Sequence, residues 1–287
     1  MQTLENISHN QLSAQHAACL NFMAKFASNQ QKIAMLTCYD ATFAKLSEAA
    51  GVDVLLVGDS LGMVLQGAEN TLSVTIDEMI YHTRTVAAGA LNTLIIADMP
   101  INSYEHDANV ALNNAQKLIA AGAHMVKLEG GGDKVATVAH LVNNGIAVCA
   151  HLGFTPQSVN ELGGYKIQGK TADSASIILQ DAQGMHHAGA SFVLLEMVPA
   201  SLAKAITKQT STPTIGIGAG VNCSGQVLVL QDLLGIYTGS ANKHPADYKG
   251  PRFVHNFLKD TGNIEAAIQA YVQAVKHQTF PASQHSY

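Results

Sequence analysis

Residues 52–63 read VDVLLVGDSLGM: five apolar residues among the first six, then Gly58, Asp59 and Ser60. Such a run fits a strand buried on both faces. A carboxylate at its end is costly, because an ion taken from water without a partner loses much of its solvation. The pattern recurs. LNTLIIADMP (91–100) ends its apolar run at Asp98, AHMVKLEGG (123–131) at Glu129 and SFVLLEMVP (191–199) at Glu196. IAVCAHLG (146–153) ends in His151, and PTIGIGAG (213–220) in a glycine cluster. Four acids, each closing the same kind of run, call for a common cause.

Between these runs the chain cycles. A helical stretch such as ATFAKLSEAA (41–50) stops at Gly51, which can take the left-handed conformation that ends a helix. The junction returns at Gly89, Gly122, Gly145 and Gly189, each before a new apolar run. Thr75 and Glu78 have the spacing of a capping box at a helix start. Strands are predicted near 33–38, 53–58, 93–98, 124–129, 146–151, 192–196 and 213–217, with a weaker eighth around LLGIY (233–237).

Alternating strands and helices, with strands hidden on both faces, indicate a parallel sheet. An open doubly wound sheet gathers its site at one switch point. Here polar side chains end at least five different strands, which favours a closed eight-stranded barrel whose mouth collects every strand end. Residues 1–287 are therefore read as one α/β domain, a (β/α)8 TIM barrel with an N-terminal helical segment over 1–30 and a C-terminal helix and tail over 255–287. That last helix, in NIEAAIQAYVQAVKH, is expected to pack on the barrel or on a neighbouring subunit.

Composition agrees. Only 13% of residues are charged and 47% are hydrophobic, as strands covered on both sides require. A net charge of −5 gives no basic footprint for nucleic acid. No apolar stretch reaches the roughly 18 residues of a membrane span. No cationic start precedes an apolar core, so no secretion signal is expected. Cys19, Cys38, Cys149 and Cys223 have neither paired nor metal spacing, and Cys38 and Cys149 read as small core residues of a cytoplasmic protein.

If the runs are parallel strands, Asp59, Asp98, Glu129 and Glu196 point into one volume. Crowded carboxylates either trap protons or share a cation, and oxygen ligands of this kind suit Mg²⁺. Lys127 stands two residues before Glu129 and faces the same side of its strand. It serves as counter-ion to Glu129, as a clamp for a substrate carboxylate, or as both. Asp59 before Ser60 is open to a second reading as a helix cap, and His151 to one as a hydrogen-bonded core residue. His82, His124, His186 and His187 read as structural or exposed. TPQSVNELGGYKIQGK (155–170) has the length and polarity of a lid. IGIGAG reads equally as an anion cradle or as tight strand-to-helix packing.

Several blocks together resemble one family: YDATFAKL, VLLVGDSLGMVLQG, TLSVTIDEMIYHT, ADMP, AGAHMVKLEGG, AHLGFTPQSVNELGGYKIQGK, LEMVP and IGIGAG, in this order between about residues 30 and 275. The chain resembles the ketopantoate (3-methyl-2-oxobutanoate) hydroxymethyltransferase family. The resemblance implies a barrel of the phosphoenolpyruvate/pyruvate type that binds Mg²⁺. It also implies transfer of a one-carbon unit from 5,10-methylenetetrahydrofolate to 3-methyl-2-oxobutanoate, giving 2-dehydropantoate for pantothenate synthesis. By motif position Asp59, Asp98 and Glu129 fall at the metal positions, with Asp59 and Asp98 also at the substrate. Ser60 and Lys127 fall at oxoacid-binding positions and Glu196 at the proton acceptor, while His151 belongs to the substrate's surroundings. The chemistry implied is removal of a proton next to a ketone, with the resulting enolate stabilised by the metal. The family's ring assemblies imply a homo-oligomer, a homodecamer.

Three features depart from the family pattern: the first thirty residues, the extended EGGGD, and the long polar YTGSANKHPADYKGPRF (237–253). Two other functions keep the fold. A lyase or mutase of the same superfamily would need no one-carbon donor, and an idle barrel would exchange no proton.

Overall fold

In a computed structural model, which describes residues 9–29, 31–240, 244 and 248–287, strand and helix alternate as the pattern predicts. The order is α1 (His9–Asn29), β1 (Ile33–Thr37), α2 (Ala41–Ala49), β2 (Val54–Val57), α3 (Leu61–Val64), α4 (Ile76–Gly89), β3 (Leu94–Asp98), α5 (Ala108–Ala120), β4 (Met125–Glu129) and α6 (Lys134–Asn143). It continues with β5 (Val148–Gly153), α7 (Ala172–His187), β6 (Phe192–Glu196), α8 (Ala200–Gln209), β7 (Thr214–Ile217), β8 (Gly225–Leu228), α9 (Leu230–Leu233), α10 (Phe257–Thr261) and α11 (Ile264–Lys276). All eight strands are parallel, and β8 pairs back onto β1 to close a barrel.

Seven strands lie where the apolar runs put them, but the eighth does not. LLGIY is not a strand: Leu230–Leu233 is a helical turn that ends at Gly235, whose φ is +64°. The true β8, GQVL, opens with a glycine and a polar residue, so it reads as part of the preceding glycine-rich loop. Closure of the barrel requires that glycine. A Cβ at Gly225 would lie 2.6 Å from the Ile33 carbonyl oxygen on β1.

Local signals set the helices. Thr75 and Glu78 form the expected capping box: Thr75 Oγ1 accepts from the Glu78 amide at 3.3 Å, and Glu78 Oε2 accepts from the Thr75 amide at 2.7 Å. Asp40 caps α2 by accepting from the amides of Thr42 and Phe43. These bonds satisfy N–H groups that a helix start leaves orphaned.

The N-terminal segment is helical over His9–Asn29, while residues 1–8 and 30 lie outside the described residues. This helix crosses the base of the barrel. Phe22 meets Phe192, the first residue of β6, edge to face at 6.4 Å. The Cys19 thiol donates to the carbonyl of His124 at 3.0 Å, just before β4. At the other end of the sequence, α11 packs on the barrel wall as expected. Its Tyr271 hydroxyl lies 2.8 Å from the Met35 carbonyl and 2.9 Å from that of Gln226, across the β1/β8 seam. Cys19, Cys38, Cys149 and Cys223 are buried free thiols.

Candidate active site

Parallel register brings the polar strand ends together. Asp98 pairs with Lys127 across β3 and β4, Glu129 with His151 across β4 and β5, and Gly153 with Glu196 across β5 and β6. Asp59 and Ser60 follow in the turn after β2. All seven predicted site residues, Asp59, Ser60, Asp98, Lys127, Glu129, His151 and Glu196, line one hollow at the C-terminal mouth. The sequence expectation of one shared volume therefore holds.

Lys127 is the centre of charge. Its Nζ lies 3.1 Å from Asp98 Oδ1, 3.6 Å from Glu129 Oε1 and 3.3 Å from His151 Nδ1. The counter-ion reading is thus realised, for two acids rather than one. His151 bridges the next pair, with Nδ1 3.3 Å from Glu129 Oε1 and Nε2 3.3 Å from Glu196 Oε2. Glu196 differs from the others in access: its side chain keeps 14% exposure, against 2% for Glu129. The backbone at Glu196 is held tightly. A Cβ at Gly153 would sit 2.3 Å from the Glu196 carbonyl oxygen, so β5 can approach only as glycine, and Met197 takes a left-handed φ of +47° that a side chain disfavours.

Asp59 does not cap α3. Ser60 occupies that position without a side-chain cap bond, and its Oγ lies 2.9 Å from the Tyr39 hydroxyl. The Asp59 carboxylate instead accepts from Gln157 Nε2 at 2.9 Å, while the Asp59 amide donates to Asp98 Oδ2 at 3.0 Å. Gln157 went unrecognised in the sequence. Its amide donates to Glu129 Oε2 at 2.9 Å, its Nε2 also reaches the Met99 carbonyl at 3.0 Å, and its Oε1 accepts from the Tyr104 hydroxyl at 2.7 Å. One buried glutamine thereby fixes two acids. The segment read as a lid is therefore partly pinned: its first turn, Pro156–Ser158, carries Gln157 into the site, and Tyr165 stands 57% exposed at the rim.

Burial dominates the electrostatics. It raises the Asp59 carboxyl to about 6, helped by the charge of Glu129, and the Asp98 carboxyl to about 7 against the opposing pull of Lys127. Glu129 and Glu196 are raised for the same reason. Burial and the neighbouring ammonium lower His151, which favours neutral imidazole. Burial would also discharge Lys127, but Asp98, Glu129 and Asp59 outweigh it and keep the ammonium charged.

Four carboxylates against one ammonium leave negative charge uncompensated. Asp98 Oδ1 and Glu129 Oε1 are buried without a hydrogen bond among the described residues. Both face the Lys127 ammonium, at 3.1 and 3.6 Å, and oxygens of this kind also fit a hard cation. Among the described residues no three His, Cys, Asp or Glu side chains form a ready-made cage. A cation here would have to complete its shell with water and substrate oxygens, as Mg²⁺ commonly does.

Of the four histidines read as structural or exposed, His82 Nδ1 bonds the Tyr39 carbonyl, His124 Nδ1 accepts from the Ile95 amide and His186 Nδ1 bonds Thr212 Oγ1, while His187 is exposed. In IGIGAG the geometry is that of packing, since a Cβ at Gly220 would lie 2.6 Å from Ala200 Cβ on α8.

The fold and mouth define a class first. The barrel is similar to that of phosphoenolpyruvate phosphomutase from Streptomyces platensis subsp. rosaceus, with a TM-score of 0.57, 14% identity, and coverage of 76% of this chain and 82% of that one. It is also similar to 2,3-dimethylmalate lyase, a member of the PEP mutase/isocitrate lyase superfamily, with a TM-score of 0.52, 16% identity and coverage of 69% and 71%. At such identities the likeness is one of fold. Sequence narrows it. The family model described as ketopantoate hydroxymethyltransferase matches residues 18–283. The 3-methyl-2-oxobutanoate hydroxymethyltransferase of Thiobacillus denitrificans is 54% identical over 90% of this chain and 94% of its own, and that of Chromobacterium violaceum 52% over 93% and 98%. The chain belongs to the ketopantoate hydroxymethyltransferase family, a family of one-carbon transferases.

Proposed function

We propose that this enzyme moves a one-carbon unit from 5,10-methylenetetrahydrofolate to 3-methyl-2-oxobutanoate, producing 2-dehydropantoate through an enolate. The observation that carries the reading is the arrangement of Glu196. It stands at the accessible edge of a crowded acidic hollow, tied to the others through His151.

Asp59, Asp98 and Glu129 are the residues that would hold Mg²⁺, the last two through oxygens that face Lys127 but accept no hydrogen bond among the described residues. When bound, the ion would act as a Lewis acid for charge developing on the oxoacid's keto oxygen. Lys127 supplies a fixed positive charge for the substrate carboxylate, and the Ser60 hydroxyl, held by Tyr39, offers it a hydrogen bond. Glu196 takes the C3 proton. Its raised affinity for protons brings it closer to the range in which a base works near neutral pH. Neutral His151 beside it orients the carboxylate without competing as a cation. The electron pair left at C3 then forms a C–C bond to the donor's methylene carbon as the first of its two C–N bonds breaks. The oxygen of water bonds to the same carbon as the second C–N bond breaks, and the C3 proton and one proton of the water end on the two folate nitrogens.

The reading extends to a symmetric homo-oligomer, a homodecamer by the resemblance, working in a reducing cytoplasm that four free thiols tolerate. Among the described residues no helix is long and apolar enough to cross a membrane.

The test is exchange of the C3 hydrogen of 3-methyl-2-oxobutanoate in D₂O, followed by NMR with Mg²⁺ and no folate. Wild-type enzyme should exchange it and Glu196→Gln should not. Equal exchange by both would remove Glu196 from its role.

A further inference from the structure

The mouth is two-sided. The acids and Lys127 come from the β2–β6 side, whereas the opposite wall, from β8, α9 and the segment beyond, offers Val227, Leu228, Asp232, Tyr237 and Tyr248. That wall runs into a second hollow with which it shares Tyr165, Glu196, Tyr237, Tyr248 and Phe253. Anything bound there reaches the side of the site on which Glu196 is accessible.

Asp232 has no part in the chemistry described above. It projects from α9 into the hollow, and its Oδ1 accepts a long hydrogen bond, 3.4 Å, from the Tyr248 hydroxyl. Among the described residues no lysine or arginine forms an ion pair with it. Burial raises its carboxyl to about 6, so at neutral pH it is still a carboxylate. A partly buried carboxylate beside a binding cavity, with no ion pair among the described residues, suits paired N–H donors. Flat rings flank it. Tyr237 and Tyr248 meet edge to face at 5.1 Å, and Tyr165 stands exposed on the same cavity.

We propose that Asp232, with Tyr237 and Tyr248, is the docking point for the bicyclic aminopyrimidinone of the one-carbon donor. This rests on the reading of the donor as a reduced folate. The ring system presents a ring N–H and an exocyclic NH₂ side by side, and a carboxylate matches such a pair with two parallel hydrogen bonds, as it does a guanidinium. The apolar ring faces suit the tyrosines. The anionic tail of the donor then points away from the metal-site acids and along the second hollow, where Lys249 lines the wall.

Asp232→Asn keeps the size of the side chain and an oxygen for Tyr248 but cannot accept both donors. Tetrahydrofolate, which carries no one-carbon unit and cannot turn over, is the probe. By calorimetry its Kd should rise about 10- to 100-fold in the variant, the equivalent of one hydrogen bond to a charged group. The KM for the oxoacid and the folate-free C3 exchange should stay at wild-type values. A probe without the 2-amino group supplies a control that does not depend on the variant. Wild-type enzyme should bind it more weakly than tetrahydrofolate, and Asp232→Asn should bind both alike. Wild-type affinity for tetrahydrofolate in the variant overturns the assignment, as does a fall in kcat with donor affinity unchanged. Failure of the wild-type enzyme to exchange the C3 hydrogen is a separate result, against the reaction and not against this subsite.

Discussion

The two ends of the barrel handle carboxylates in opposite ways. At the base, Glu48 Oε2 accepts from the amides of Asn92 and Thr93 at 2.8 and 2.9 Å and from the Thr93 hydroxyl at 2.9 Å. Asp53 pairs with Lys276 and accepts from the Ala34 amide at 2.8 Å. Burial alone would raise Glu48, yet those donors outweigh it and hold it below the usual range. At the mouth, Asp98 is deeper, its Oδ1 has the Lys127 ammonium at 3.1 Å but no hydrogen bond among the described residues, and burial still pushes it up to about 7. A satisfied acid stabilises a junction between elements. A crowded and unsatisfied one stores affinity for something that binds.

Substitutions at each end should separate function from stability. The largest effect belongs to the mouth: Glu196→Gln should lower kcat by about 10²- to 10⁴-fold, the usual worth of a positioned base, with melting temperature little changed. At the base, Phe192→Ala removes a fully buried ring that packs on α1. It should cost about 3–5 kcal/mol in urea unfolding and leave KM for the oxoacid intact. Glu48→Ala, which removes the acceptor of four donors from Asn92 and Thr93, two of them on the exposed Asn92, should cost about 0.5–1.5 kcal/mol by the same measurement, again without a change in KM. A Glu48 variant with impaired catalysis and normal stability would break the division.

The smallest effect is in the pH dependence of stability. Folded-state values of about 6 for Asp59 and about 7 for Asp98 are raised above those of an unfolded chain. Their contribution is therefore fully present below about pH 4 and is lost as pH rises through 6 to 7. His151, lowered in the fold, acts in the opposite sense and loses stability on acidification. The difference between wild type and Asp98→Asn isolates the acid. Without metal, wild type should lose stability relative to the variant between about pH 4 and pH 7. Saturating Mg²⁺ should flatten that difference. A constant offset across the range would mean that Asp98 is not strained by burial.

How legible this was depends on where each residue sits. Asp98, Glu129 and Glu196 terminate buried strands, and a charge at the end of an apolar run is visible in one dimension. So was the barrel, since only convergence of many strand ends explains the repetition. β8 was not, because Gly225 and Gln226 carry no apolar signal, and the leucines of α9 imitated a strand. That error also hid Asp232, which stands just before the expected strand at 233–237 and lies on a helix facing the cavity. Gln157 was invisible for another reason. A glutamine in a long polar loop acquires its role only when the loop folds across the mouth, and no local spacing encodes that return.

The central claim is that the mouth acids are crowded because a divalent cation joins them. A calorimetric titration of metal-free enzyme with MgCl₂ near pH 7, in buffers of different ionisation enthalpy, tests it most directly. Wild type should bind Mg²⁺ and release protons as Asp98, raised to about 7, ionises fully. Asp98→Asn should weaken binding by more than the roughly 10- to 100-fold that loss of an outer-shell partner costs. Equal Mg²⁺ affinity in both proteins, with no proton released by either, would contradict the account.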